Sequence, residues 1–304
     1  MAIYLGIDGG GTKTTCVVAD ETSVLGSATT GGSNITRHGD ARVREALRSA
    51  VKTACAAAKV DPSQIESACV GPSGAGRPEV RDAVAGMMRE LLRARIVVLS
   101  DLETTLQAAF GDSLGVITIA GTGSIAYGRD AQGQTARAGG WGLAISDEGS
   151  GQWIGRTAVS AVLGAKDAGD DPPLLATILK LWKLTSLDEL VRRANASPPP
   201  DFSSLVRVVL AAAEAGDPLA KHVLYQAGTE LAAIAGNVIR RLFADGCSVP
   251  VAMSGGVFRQ SEVVREVFSH ELSAEFPQAS IQPVVVDPVR GALELARKAI
   301  ADKR

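Results

Sequence analysis

An aspartate followed by three glycines is the first group whose residue types and spacing could do chemistry. Asp8 and Gly9–Gly11 lie in the stretch IYLGIDGGGTKTTCVVAD, between two runs of apolar and β-branched residues. Glycines let the backbone approach a ligand, and successive N–H groups of such a turn can bind phosphate. Thr12 and Thr14 would add hydroxyls and Lys13 a cation, while Asp8 could hold a hydrated Mg2+ beside the phosphates. The pattern therefore predicts a phosphate-binding turn.

Two better-known glycine motifs do not fit this stretch. A P-loop requires GxxxxGK[ST] before a helix, whereas Lys13 follows Thr12 and precedes a predicted strand. A dinucleotide fingerprint requires GxGxxG at the start of a helix, and neither the spacing nor the helix is present. An ordinary hairpin turn stays open as an alternative, although three glycines exceed what a two-residue turn requires.

Asp101 is the second residue with a chemical interpretation. It follows the run RIVVLS, at the carboxyl end of the predicted strand Arg95–Ser100, where open α/β sheets place their ligands. A carboxylate there, close to a terminal phosphate, could accept the proton of an attacking hydroxyl. The local sequence is equally compatible with Asp101 as the N-cap of a helix over residues 102–110.

The elements that must position these residues follow from periodicity. The first third of the chain predicts the order β-β-β-α-β-α-β, a mixed sheet with helical crossovers. Its elements are strands Ile3–Ile7, Thr15–Ala19 and Val24–Thr29, a helix from Asp40, strand Ile65–Gly71, a helix from Pro78 and strand Arg95–Ser100.

The pattern restarts near Val116. GVITIAGTGSIAYGRD is again strand, glycine turn and strand, with the turn at Gly121–Ser124. This weak internal repeat predicts two domains of similar topology, each with one glycine turn. The chain is then predicted to be mostly helical from Ser150 to about Phe243, with a capping box at Ser186 and Glu189 and a long helix from Asp217-Pro218. The last predicted elements are strand Val249–Met253, a helix near Ser261–His270, strand Ile281–Val286 and a helix from Val289.

Composition bounds the class of protein. A length of 304 residues indicates about two domains, and 46% hydrophobic residues suffice for packed cores. A formal net charge of −2 argues against a nucleic-acid or membrane-surface partner. The four cysteines are scattered without metal-ligand spacing, and the three histidines are not clustered. A predicted strand that starts at Ile3 leaves no room for a signal peptide. We expect a soluble, cytoplasmic protein.

Several stretches together resemble a known family. DGGGTKT, the aspartate Asp101 after a strand, AGTGS and, most specifically, GGWGLAISDEGSGQWIG are similar to the N-acetylglucosamine kinases. These belong to the BadF/BadG/BcrA/BcrD ATPase family, within the sugar kinase/Hsp70/actin superfamily, and the resemblance covers nearly the whole chain. It implies an α/β fold with two ribonuclease-H-like (actin-like ATPase) domains around a central cleft. The first domain would comprise residues 1–114 plus 288–304, and the second residues 115–287 with helical insertions.

The resemblance also implies an activity. It predicts an ATP-dependent kinase, with ATP and Mg2+ as cofactors, that phosphorylates the 6-hydroxyl of N-acetylglucosamine as a cytoplasmic homodimer. Glucosamine and N-acetylmuramic acid stay open as acceptors, because the loop VGPSGAGRPE, with Ser73, Gly74 and Arg77, varies among amino-sugar kinases. The alternative is an ATPase activator that passes electrons through an iron–sulfur cluster to a partner reductase. No cluster loop is visible, since Cys55 and Cys69 fall in a predicted helix and strand.

The candidate site residues divide into four roles by this resemblance. Asp101 is the expected catalytic base and Asp8 the expected metal ligand. The expected sugar contacts are Asn34, Asp101, Gly140, Trp141 and Asp147, with Glu148 a weaker match. The expected ATP contacts are Gly10, Gly11, Thr12, Lys13, Thr122, Gly123, Gly216, Gly255 and Gly256. An indole face suits the apolar face of a pyranose, and a carboxylate can bind ring hydroxyls.

Overall fold

The computed structural model describes residues 2–244 and 246–301. It divides into two compact units: the first contains the residues up to Ile117 together with those from Val286, and the second runs from Thr118 to Val285. Two five-stranded sheets, each accompanied by helices, form the chain. The α/β fold class predicted from the sequence is therefore confirmed.

The first sheet combines an antiparallel meander with two parallel strands. Its strands are β1 (Ile3–Gly9), β2 (Lys13–Ala19), β3 (Val24–Gly31), β4 (Ile65–Pro72) and β5 (Arg95–Val98), in the order β3-β2-β1-β4-β5. β1 to β3 are antiparallel, and β4 and β5 continue the sheet parallel to β1. Short turns can join only antiparallel neighbours, so the parallel strands require the helical crossovers that the sequence predicts.

Helices cover both faces of this sheet. They are α1 (Ile35–His38), α2 (Asp40–Ala58), α3 (Pro78–Leu91), α4 (Asp101–Phe110) and, from much later in the chain, α12 (Pro288–Ala301). Successive residues of a strand point to opposite faces, so Leu5 of β1 packs in a core with α2 and α3, whereas Tyr4 packs in a core with α12. At Gly291 a side chain would overlap the Thr104 carbonyl oxygen, so glycine permits α12 to lie against α4.

The second sheet repeats the arrangement of the first. Its strands are β6 (Gly115–Ala120), β7 (Ser124–Arg129), β8 (Thr135–Gly139), β9 (Val249–Ser254) and β10 (Ala279–Ile281). Read from β8, the order is β8-β7-β6-β9-β10, which matches the first sheet strand for strand. The internal repeat predicted from the two glycine turns is confirmed at the level of topology.

Helices fill the long connections of the second unit. They are α5 (Gly151–Asp167), α6 (Pro173–Trp182), α7 (Leu187–Ala194), α8 (Val206–Glu214), α9 (Pro218–Leu242), α10 (Gly256–Gln260) and α11 (Glu262–Glu275). The predicted long helix after Asp217 is α9, and the Asp217 side chain caps it by accepting from the Ala220 N–H group. Within the described residues, no helix combines the length and the apolar character that a membrane span requires.

Three local predictions were wrong in detail. The predicted strand Ile281–Val286 begins where β10 ends, because Pro283 interrupts the run and Val284 is 73% exposed. At the start of α7, Ser186 accepts from the Glu189 N–H group, but the Glu189 carboxylate bonds to Thr185 and does not complete the capping box. The N-cap of α4 is Ser100, and Asp101 is the first helical residue.

Candidate active site

Three strands of the first unit deliver candidate residues to one edge of the sheet. Asp8 is the penultimate residue of β1, Ser73 follows β4, and Asp101 follows β5 after a two-residue gap. β1, β4 and β5 are parallel neighbours, so their carboxyl ends lie at the same edge. This is the edge at which open α/β sheets bind their ligands.

Asp101 has an unusual electrostatic environment. Its Oδ1 accepts from the Leu102 N–H group at 3.1 Å. Desolvation by burial, followed by the negative charge of Asp8, nevertheless raises the pKa of Asp101 from 3.8 to about 7. The carboxyl group therefore changes protonation state near neutral pH, which suits a general base.

The first glycine turn is closed by its own backbone. The Gly10 N–H group donates to the Lys13 carbonyl oxygen at 2.8 Å, so this amide does not point outward as a phosphate donor. Thr14 is buried, and its hydroxyl donates to the Gly31 carbonyl oxygen at 2.7 Å, which corrects the expectation that it faces a phosphate. Thr12 and Lys13 are exposed. The residues open to a ligand are therefore those at the tip of the turn.

A histidine holds the tip of this turn. His38 Nε2 lies 2.7 Å from the Gly11 carbonyl oxygen, a distance at which the ring N–H group donates to the carbonyl. The sequence predicts no role for His38, which is not clustered with the other two histidines. The contact spans 27 positions in the chain, so no local pattern reveals it.

Asn34 is already bonded within the protein. Its side-chain oxygen accepts from the Arg37 N–H group at 3.1 Å and thereby caps α1. Its Nδ2 donates to Ser73 Oγ at 3.0 Å. Asn34 thus ties the start of α1 to the loop after β4.

Arg81 and Glu103 form an ion pair beside Ser100, the residue that precedes Asp101. Glu103 Oε2 accepts from the Ser100 N–H group at 2.8 Å and from the Ser100 hydroxyl at 2.7 Å, completing a capping box for α4. Arg81 Nη2 lies 3.3 Å from the same oxygen, and Arg81 Nε donates to the Ala75 carbonyl oxygen at 2.6 Å. The sequence contains this capping box as Ser-x-x-Glu before an apolar run. It was not predicted because Ser100 had been assigned to the preceding strand.

The second glycine turn is fastened by Asp147. The carboxylate of Asp147 accepts from the backbone N–H groups of Ser124 and Gly142, and burial raises its pKa. A Cβ atom at Gly123 would lie 2.7 Å from Asp147 Oδ2, so glycine permits this close approach. Asp147 is only 6% exposed and adopts a left-handed backbone with φ +66°. A non-glycine residue held in that region is strained, and here the buried hydrogen bonds compensate for it.

The loop Gly139–Ser146 carries exposed apolar side chains. Gly140 has a left-handed backbone with φ +68°, and the next residue, Trp141, is 63% exposed. The Arg137 guanidinium stacks over the indole at 4.1 Å from the ring centroid. One face of the indole is therefore covered by a cation. Glu148 accepts from the Ser146 hydroxyl at 3.0 Å.

The remaining predicted nucleotide contacts are divided between two places. Gly255 has φ +103°, and a side chain there would overlap the carbonyl oxygen of Ala120, the residue that precedes the second glycine turn. Gly256 follows it as the first residue of α10. Gly216 ends the connection from α8 with φ +97°, and a Cβ atom there would meet no neighbouring atom.

The structure therefore assembles the predicted residues into two groups, one in each unit. The first unit brings together Asp8, the turn Gly10–Lys13, Asn34 and Asp101 at or beside one sheet edge. The second brings together Thr122, Gly123, Gly140, Asp147 and Gly255, whereas Gly216 lies in the connection between α8 and α9. In the described part of the chain, no three His, Cys, Asp or Glu side chains are grouped as a metal site.

The sequence pattern that defines the BadF/BadG/BcrA/BcrD ATPase family matches residues 5–296. The chain belongs to this family. The match spans both sheets and both glycine turns, so the predicted family is confirmed.

Relatives whose names state an activity are similar to this chain over almost its full length. An N-acetylmuramic acid/N-acetylglucosamine kinase from Clostridium acetobutylicum is 32% identical, over 98% of this chain and 99% of its own. An N-acetyl-D-glucosamine kinase from Dictyostelium discoideum is 30% identical, over 97% of each chain. Among solved structures, a candidate N-acetylglucosamine kinase from Chromobacterium violaceum superimposes with a TM-score of 0.78 at 27% identity, covering 97% of this chain and 99% of its own.

Proposed function

We propose that this chain is an ATP-dependent amino-sugar kinase that phosphorylates the 6-hydroxyl of N-acetylglucosamine, or of the close relatives glucosamine or N-acetylmuramic acid. The observation that carries the proposal is Asp101, a carboxyl group with a pKa of about 7 at the carboxyl edge of three parallel strands. The names of the similar kinases support the same reaction.

Asp101 is the catalytic base in this proposal. It accepts the proton of the sugar hydroxyl while the hydroxyl oxygen forms a bond to the γ-phosphorus of ATP, and the bond from that phosphorus to the bridging oxygen of ADP breaks. Phosphoryl transfer otherwise needs positioning and charge neutralisation. Lys13, at the exposed tip of the first turn, supplies a positive charge.

The candidate residues are assigned either to ATP or to the sugar in this proposal. The ATP contacts are assigned to Gly10, Gly11, Thr12, Lys13, Thr122, Gly123, Gly216, Gly255 and Gly256. Because the Gly10 N–H group bonds to Lys13, we assign Gly10 close backbone approach and not donation.

The sugar contacts are assigned to Asn34, Asp101, Gly140, Trp141 and Asp147. Arg137 covers one face of the indole of Trp141, so the pyranose would stack on the other. Asp147 accepts two backbone N–H groups, and a carboxylate has lone pairs left for a sugar hydroxyl.

Mg2+ fits the first group, with Asp8 as its ligand. Asp8 adds enough negative charge to this edge to help raise the pKa of Asp101, and a divalent cation would offset that charge. Mg2+ commonly binds to one or two carboxylates together with phosphates and water, so a cluster of three acidic side chains is not required. When bound, the ion neutralises phosphate charge.

The activator alternative lacks a supporting feature. An iron–sulfur cluster needs accessible cysteine thiolates. Cys16, Cys55 and Cys69 are buried, and burial raises the pKa of Cys69 to about 12. Cys247 is exposed on a different unit from these three.

The resemblance to the N-acetylglucosamine kinases further supports a cytoplasmic homodimer without nucleic-acid or membrane partners. Light scattering on the purified protein tests the dimer: a mass of twice the 31.3 kDa chain is expected.

The test of function is ADP release with Mg-ATP alone, and then with N-acetylglucosamine, glucosamine, N-acetylmuramic acid or glucose. Release that depends on an amino sugar, with 31P NMR placing the product phosphate on the 6-oxygen, is the expected result. Release that is indifferent to every sugar contradicts the proposal and favours the activator alternative.

A further inference from the structure

We infer that Arg81 and Glu103 form a brace that positions both Asp101 and the loop at residues 72–77 for the reaction. This inference rests on the amino-sugar kinase function proposed above. Arg81 and Glu103 are positioning residues, since each acts through a neighbour.

The brace joins two segments that are distant in sequence. On one side, Arg81 Nε donates to the Ala75 carbonyl oxygen at 2.6 Å. On the other, Arg81 Nη2 lies 3.3 Å from Glu103 Oε2, which also accepts from both the N–H group and the hydroxyl of Ser100. Ser100 is the residue immediately before Asp101. One guanidinium and one carboxylate therefore hold the loop and the turn that carries Asp101 in a fixed relation.

The braced loop is itself tied to other candidate residues. Ala75 is fully buried, and the Ser73 N–H group donates to the Gly9 carbonyl oxygen at 2.7 Å. Ser73 Oγ also accepts from Asn34 Nδ2 at 3.0 Å. A displacement of Ala75 would thus reach Asn34 and the end of the strand that carries Asp8.

Stability alone does not account for this arrangement. The side chains of Arg81 and Glu103 are 38% and 35% exposed, and ion pairs with such exposure contribute little to folding. The capping box of α4 needs only Ser100 and Glu103, so it does not require the guanidinium. A planar guanidinium has separate donors on Nε and Nη2, which suits it to bridge two partners.

The test is steady-state kinetics of Arg81→Met with ATP and N-acetylglucosamine. The matched control is Arg44→Met, since Arg44 pairs with Glu90 in the same unit, also contacts α3, and is 37% exposed. We expect kcat/KM for the sugar to fall by about 10–100-fold in Arg81→Met, because a small misplacement of reacting groups has effects of this size. The KM for ATP and the melting temperature should change no more than in the control.

Arg81→Lys and Glu103→Gln keep the test decisive if Arg81→Met folds poorly. Arg81→Lys keeps the charge but cannot reproduce the two-pronged geometry, so it should retain an intermediate kcat/KM. Glu103→Gln should also lower kcat/KM for the sugar. The double variant Arg81→Met/Glu103→Gln should lose no more than the more damaged single variant, because residues that act as one unit are not additive.

Equal kcat/KM for the sugar in Arg81→Met and Arg44→Met would overturn the brace, as would additive losses in the double variant. A wild-type protein that turns over no amino sugar overturns the proposed function, and the role of the brace with it. An active wild type with unaffected Arg81 and Glu103 variants overturns the brace alone, so the two failures are distinguishable.

Discussion

In the first unit, a histidine on the Gly11 carbonyl oxygen holds the glycine turn between β1 and β2, and the tip residues Thr12 and Lys13 remain exposed. In the second unit, the equivalent turn between β6 and β7 is held by a buried carboxylate, Asp147, which accepts two backbone N–H groups. The topology around the two turns is the same. A buried carboxylate is costly to disturb, whereas a partly exposed contact is not. We therefore expect substitutions in the first turn to affect mainly kinetics, and those at Asp147 to lower stability as well.

Asp101→Asn should have the largest kinetic effect. Loss of the base is expected to lower kcat by about 10²–10⁴-fold. The exposed Asp82→Asn on α3 is the control and should leave kcat unchanged. Near-normal turnover in Asp101→Asn would show that Asp101 is not the catalytic base.

The same variant should be more stable than the wild type above neutral pH. The folded protein raises the pKa of Asp101 from 3.8 to about 7, so stability present at low pH is lost as the pH rises from about 4 through 7. Asparagine has no charge to bury. Melting temperatures at pH 8 should therefore favour Asp101→Asn, and the difference should shrink at pH 4.

The next largest effect is expected in the pH dependence of kcat/KM for the wild-type enzyme. Because the pKa of Asp101 is about 7, kcat/KM for the sugar should fall about tenfold per pH unit below pH 7. Initial rates between pH 5 and 8.5, at subsaturating sugar, measure this. A profile that stays flat down to pH 5 contradicts a raised pKa of Asp101 in the enzyme form that binds the sugar.

Asp147→Ala should destabilise the protein more than any substitution in the first turn. It leaves the N–H groups of Ser124 and Gly142 without their acceptor, and the loss at the buried Ser124 costs about 1–3 kcal/mol. Asp130→Ala is the matched control, since Asp130 also accepts two backbone N–H groups, those of Gln132 and Gln134, but in an exposed turn. Urea unfolding of both variants should give the larger loss of unfolding free energy for Asp147→Ala. Equal losses would contradict a special contribution of the buried Asp147 carboxylate to stability.

His38→Ala should have the smallest effect. One hydrogen bond to the Gly11 carbonyl oxygen is lost, so the KM for ATP should rise roughly fivefold, corresponding to about 1 kcal/mol. The exposed His270→Ala on α11 serves as the control. A large decrease in melting temperature in His38→Ala, with an unchanged KM for ATP, would show that His38 supports stability and not ATP binding.

Much of the fold was predictable because local periodicity and turn residues determine it. The meander β1 to β3, the helix after Asp40 and the repeated glycine turn all follow from patterns within about twenty residues. The family was predictable for the same reason, since its motifs are contiguous. The strand predicted at Ile281–Val286 was wrong because β-branched residues alone do not make a strand where Pro283 interrupts the run.

The supporting contacts of the candidate site could not be predicted. Arg81 and Glu103 are 22 positions apart, and His38 is 27 positions from Gly11. Such pairs form only when the sheet brings distant segments together, so no single-sequence pattern records them. The individual roles of the site residues remain predictions for the experiments above.

Helix α12 determines when the first unit can finish folding during synthesis. It supplies Val289, Ala292, Leu293 and Ala296 to a core that also contains residues of β1 and β2. At about 5–20 residues per second, the ribosome reaches α12 roughly 15–60 s after it has made β1. Throughout that interval one apolar face of the first sheet lacks the helix that covers it. The second unit is continuous in sequence and has no such delay. The unit that the ribosome begins first is therefore the one that is completed second.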